Sequence, residues 1–112
     1  MRRVDAGEAL DELSRLSDEI RSAAIVDAAG SVVAQTPGVD GRRLARTAAE
    51  LLEVAAVVDR ARAVARIEVR LTERTVFVVR GSSHAAIATT AAEPPAALVV
   101  HDLRTCLARI DA

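Results

Sequence analysis

The chain has almost no aromatic residues: Phe77 stands alone among 112 residues, with no tryptophan and no tyrosine. This removes the stacking platforms that hold single-stranded nucleic acids and the aromatic walls of most small-molecule pockets. Cysteine is equally scarce. Cys106 is the only one, which excludes an internal disulfide and a cysteine-built structural zinc site. No excess of one charge exists either: the net charge is -1, so the electrostatic footprint for nucleic acid or an anionic membrane is missing. No uncharged apolar run approaches the roughly 18 residues of a membrane span. The opening Met1-Arg2-Arg3-Val4-Asp5 leads into no apolar signal core. These absences predict a cytoplasmic protein that partners neither nucleic acid nor membrane.

What is present is a 51% apolar fraction dominated by Ala, with Val and Leu. Small side chains let helices approach closely, but each buries little area, so such a core gains from surface supplied by a second subunit. The length suits one domain, residues 1–112.

Ala6, Ala9, Leu10, Leu13, Leu16 and Ile20 recur at helical spacing, with Glu8, Asp11, Glu12, Arg15 and Asp18 filling the other side. Asp5 and Glu8 fit a capping box at the start of this first helix. Ala23 to Val26 and Ser31 to Gln35 are rich in β-formers and flank Asp27-Ala28-Ala29-Gly30, which reads as a hairpin turn. After the breaker-rich Thr36 to Gly41, Leu44, Ala48, Leu51, Ala55 and Val58 define a second helix over about residues 40 to 63, with Asp40 placed to cap it. Three further strands follow, Ala65 to Leu71, Thr75 to Arg80 and Ala85 to Thr90, joined by links short enough for an antiparallel meander. Glu93-Pro94-Pro95 then opens a last helix with Val100, Leu103, Leu107 and Ile110 on one face. The order α-β-β-α-β-β-β-α predicts an α+β sandwich.

This order, covering the whole chain, resembles the Roadblock dynein-light-chain family, related in fold to longin and profilin modules. The residues that carry the resemblance are Ala24-Ile25-Val26-Asp27-Ala28-Ala29-Gly30-Ser31-Val32-Val33-Ala34, the Ala-rich second helix, Val76-Phe77-Val78-Val79, Ile87-Ala88-Thr89-Thr90, and Leu98 to Leu107. The resemblance implies a five-stranded antiparallel sheet with one helix on one face and two on the other, and the third strand at its edge. It also implies homodimers or heterodimers that act as scaffold, adaptor or GTPase-activating partner of small Ras-like GTPases, or as a motor-complex subunit. The chain departs from many family members in lacking extra terminal segments and in an Arg-rich polar surface.

Chemistry finds little to work with. Ser82-Ser83-His84 offers a hydroxyl and a base, but adjacent residues are not expected to reach a nucleophile-base geometry, and a polar turn is the simpler reading. His101 sits on the polar side of the last helix, and two distant histidines make no metal motif. Cys106 falls at the edge of an apolar stripe, where a thiol behaves as a small hydrophobe. Gly38 and Gly41 belong to no phosphate-binding fingerprint. No catalytic residue, cofactor or metal is assigned, and the chain is not expected to be an enzyme. A rival reading is a ligand-sensing longin- or profilin-like module with a pocket beneath the second helix.

Interaction surfaces remain. Arg42, Arg43 and Arg46 cluster at the start of the second helix, against the helix dipole, and suit an acidic partner. The dimer contact is assigned to Leu44, Ala48, Leu51, Leu52 and Ala55 of that helix with Ile67, Glu68, Val69 and Arg70 of the third strand. Two such edges pairing about Ile67 or Val69 set Glu against Arg twice, whereas pairing about Glu68 sets like charges together.

Overall fold

The computed structural model describes residues 4–58 and 65–111. Residues 59–63, the expected last turns of the second helix, lie outside the described residues. The elements run α1 (Ala6–Leu16), β1 (Ile20–Val26), β2 (Val32–Gln35), α2 (Gly41–Val58), β3 (Arg66–Arg70), β4 (Arg74–Arg80), β5 (Ala85–Ala91) and α3 (Ala96–Asp111). The expected order holds element by element.

Local chemistry sets most boundaries. The Glu8 amide donates to Asp5 Oδ1 at 2.8 Å, so Asp5 caps α1 as its spacing predicts. The Asp27 carboxylate accepts the Ala29 and Ser31 amides at 2.9 and 3.0 Å, while Gly30 takes φ +84° to close the β1–β2 turn. Asp40 Oδ1 accepts the Arg43 amide and caps α2.

One boundary differs from the sequence reading. Ile20, four residues after Leu16, looks like the next position of a helical stripe, yet α1 ends at Leu16 and Ile20 opens β1 opposite Thr90. Leu16 is 82% exposed rather than part of the buried stripe. An i, i+4 coincidence across the end of a helix cannot be told from a continuing stripe, and the β-branched Ile20 gains its pairing from a strand 70 residues away.

All five strands pair antiparallel in the order β2-β1-β5-β4-β3. β3–β4–β5 is the expected meander, β5 docks beside β1, and β3 ends the sheet. α1 and α3 cover one face. There Leu10, Leu13, Ile25, Phe77, Val79, Val99, Leu103 and Leu107 form the main core. α2 alone covers the other face, over Ala24, Val78 and Ile87. Its core is much the thinner of the two: among the described residues only Ala48 of the helix joins those three in full burial, with Leu44, Leu51, Leu52, Ile67 and Val76 half-buried around them. No described helix is long and apolar enough to cross a membrane.

Candidate functional site

The thinly covered face directs attention to α2. Successive residues of a helix turn by about 100°, so Leu44, Ala48, Leu51, Leu52 and Ala55 share the side that meets the sheet. Ala48 is 3% exposed and packs on Ala24, Val78 and Ile87 of its own subunit. Its assignment to a subunit contact is therefore corrected: helical spacing marks a residue as inward, and inward here means toward the chain's own sheet. Leu44, Leu51, Leu52 and Ala55 are half-buried and keep part of their surface outward.

Two flanks rise from that buried line. Arg43, Leu44 and Thr47 line a cleft with Leu71, Arg74, Val76 and Thr89, so this flank looks toward the β3–β4 turn and the neighbouring end of β5. By the same rotation Leu51, Val54 and Val58 continue it. Val54 and Val58 are 63% and 82% exposed, and Val57, further round, is 67% exposed. Three exposed valines on one and a half turns form an apolar patch of the kind that marks an interface. The sequence reading missed Val54 and Val57, although their spacing from Leu51 and Val58 carried the signal.

β3 supplies the adjoining edge. The Leu71 amide donates to the Arg74 carbonyl at 2.8 Å, and the Arg80 amide donates to the Ala65 carbonyl at 2.9 Å. Backbone direction alternates along a strand, so the odd-numbered residues of β3 bond inward to β4 and the amides and carbonyls of Arg66, Glu68 and Arg70 face the open edge. The Val69 amide therefore belongs to the internal ladder, and a proline there breaks the subunit itself; Glu68 is the position that tests the edge. The Arg70 Nε–H donates to Glu68 Oε2 at 2.7 Å along the same strand, and this bond and the Glu68 charge raise the Arg70 guanidinium further.

The three arginines at the start of α2 are all exposed but do not act together. Arg43 shares the β3-side cleft with Arg74, whereas Arg42 and Arg46 lie on the opposite flank beside Gly30 and Val32.

The Ser83–His84 pair requires a correction. Ser83 Oγ lies 2.8 Å from His84 Nδ1, so adjacent residues do reach one another, and both also meet the Asp111 carboxylate from the last turn of α3. The arrangement is still not a relay: serine and aspartate converge on the same ring nitrogen, and the Ser83 hydroxyl donates to Asp111. It is a latch. Asp111 also accepts the Ser82 and Ser83 amides at 2.9 and 3.4 Å, and a Cβ on Gly81 would sit 2.8 Å from its carboxylate oxygen. The sequence could not show this partnership, because Asp111 is 27 residues from His84.

Burial pushes the Asp111 carboxyl up, but hydrogen bonds from the Ser83 and His84 side chains and the Ser83 and Ser82 amides outweigh it and bring it below its ordinary value. The stabilisation is thus complete above the ordinary carboxylate value of about 4 and is lost as pH falls below it through the lower folded value. Asp111→Asn is expected to lower stability by about 1–3 kcal/mol at pH 7, with wild type and variant converging in strong acid. Urea titrations at both pH values check this, and an unchanged gap in acid would remove the carboxylate from the account.

His101 is exposed, and Cys106 is buried with its thiol pushed up to about 11 by desolvation. A thiol so far from its thiolate is a packing group.

No protein-family model matches the sequence, and no curated protein matches it. Solved structures do match. A Roadblock/LC7 domain from Streptomyces avermitilis superposes with a TM-score of 0.81 at 19% identity, covering 96% of each chain. MglB from Myxococcus xanthus gives 0.76 at 12% identity, covering 94% of this chain and 90% of that one. A Schizosaccharomyces pombe profilin gives 0.61 at 16% identity, covering 83% and 86%.

Proposed function

From the Roadblock fold that these superpositions establish, we propose that the chain is a non-catalytic, cytoplasmic homodimer that scaffolds or regulates a small Ras-like GTPase. The observation that carries the reading is the exposed Val54, Val57 and Val58 of α2 in a subunit whose β3 is an open sheet edge. One side of this surface is apolar and the other is a strand lacking a neighbour, which together fit a second copy of the same element pair.

Pairing two β3 edges about Val69 brings Glu68 of each subunit opposite Arg70 of the other. Each arginine already bonds the glutamate of its own strand, so the two-fold closes a ring of two carboxylates and two guanidinium groups. Exposed pairs of this kind contribute about 0.2–1 kcal/mol each, enough to choose a register. The affinity comes from the valine flank.

A regulator of a GTPase must distinguish its nucleotide states. The protein is expected to bind a Ras-like GTPase from its own genome with at least about tenfold different affinity in the GTP-analogue and GDP forms, measured by calorimetry. Equal affinities would reduce the role to a tether, and no binding to any such GTPase would remove the reading. Arg42, Arg43 and Arg46 are split between two flanks of α2 and present no single surface to that partner, and Ser83, His84 and Asp111 take no chemical part.

A further inference from the structure

The flank of α2 that looks toward the β1–β2 and β4–β5 turns carries a groove. Two clefts there, one of about 290 Å³ against the β1–β2 and β4–β5 turns and one beside β2, share Gly30, Ala45 and Ala49 and so run into each other. The floor is apolar and shallow-walled: Val26, Val32, Ala45, Ala48, Ala49 and Leu52. The rim is cationic. Arg42 and Arg46 stand at one end and Arg80 at the other, and among the described residues none of the three closes an ion pair. The one lining carboxylate among the described residues, Asp27, is committed to the amides of its own turn. Glu50 and Glu53 line neither cleft.

We propose that this groove docks an acidic amphipathic segment of a partner protein. Apolar side chains of the segment enter the alanine-lined floor, and Asp or Glu residues before and after them meet Arg42, Arg46 and Arg80. Three features select a peptide over a small anion. The cations are divided between the two clefts, Arg42 and Arg46 lining one and Arg80 the other, so a single small carboxylate at one end leaves the other end unmet. Alanines on successive turns let a backbone approach closely. The chain's 15 basic residues are all arginine, whose planar fork binds carboxylates bidentately. The placement rests on the proposed dimer, which uses the other flank and leaves one groove open in each subunit.

A displayed library of random twelve-residue peptides, selected against the purified protein, tests this directly. Enriched peptides are expected to carry Asp or Glu on both sides of Leu, Ile, Val or Phe. Their amide shift changes in labelled protein should fall on residues 26–32, 42–52 and 80–85. Arg46→Glu with Arg80→Glu is expected to weaken them by about tenfold or more, with a strong salt dependence, while Arg43→Glu with Arg74→Glu on the β3-side flank leaves them unchanged. No enrichment, enrichment without acidic residues, shifts elsewhere, or survival of the Arg46/Arg80 reversal would overturn the proposal. Shift changes produced equally by butyrate alone would make the site a small-anion pocket and overturn it too. Sedimentation of each variant reports the dimer separately, so loss of the subunit contact and loss of peptide binding are read as different results.

Discussion

Val54→Glu combined with Val58→Glu is expected to convert the proposed dimer into a folded monomer. The two valines are 63% and 82% exposed in the isolated subunit, so neither substitution disturbs its core. They share one exposed flank of α2, and a carboxylate at each position places two uncompensated charges per subunit into the proposed seam. Hot-spot losses of this size are worth about 3 kcal/mol, roughly a hundredfold in the dimer dissociation constant. Sedimentation velocity at tens of micromolar reads the mass, and circular dichroism checks the fold. Leu16→Glu is the control, since Leu16 is as exposed as Val58 but lies on α1 on the opposite side of the sheet. Glu68→Pro, which removes an outward amide of β3, attacks the same seam from the strand. A wild-type monomer at these concentrations, or a dimer that survives both changes, would remove the interface.

That pair of valines also shows where the sequence stops informing. Asp5, Asp27, Gly30 and Asp40 act within four residues of themselves, through caps and a turn, and each was legible because its partner is a neighbouring amide. That both faces of the sheet need cover was legible as well, because a strand such as Val76-Phe77-Val78-Val79 is apolar on both; which helices take which face came from the family resemblance. Direction beyond that was not. Ala48 and Val54 both read as apolar positions of one helix, yet they lie about 120° apart around its axis, and only the way α2 sits on the sheet decides that Ala48 is sealed against Ile87 while Val54 faces out. The same limit split the arginine cluster. Arg42, Arg43 and Arg46 lie within five residues of sequence, but the helical turn sends Arg43 toward Arg74 and the other two toward the hairpin. The Asp111 latch escaped for a different reason: it joins the ends of two elements brought together by the whole fold, and no local pattern records it.

Phe77→Ala is expected to produce the largest loss of stability of any single substitution. Phe77 is fully buried on β4, opposite Ala88 of β5, in the layer that α1 and α3 cover. The residue directly opposite it, Ala88, is small, and Ala23 and Ala86 share its cluster with Ile25, Val79 and the leucines of α1 and α3, so the ring is the largest side chain of a close-packed layer. Removing it leaves a cavity in that layer, and phenylalanine truncations in such surroundings cost about 3–5 kcal/mol. Against a domain stability of about 5–15 kcal/mol, that is a lowering of the urea midpoint by about 2–3 M for a chain of this size. Phe77→Leu, which keeps most of the volume, is expected to lose less than half as much. Because a dimer makes apparent stability depend on concentration, the midpoints are compared at equal protein concentration and again with the Val54/Val58 variant as background. Equal losses in both backgrounds place the α1–α3 layer and the α2 seam in separate structural duties, one holding the subunit together and the other presenting it to its copy. A loss below about 1 kcal/mol would mean that the layer collapses onto the cavity, and that the chain's single aromatic is not what fixes its packing.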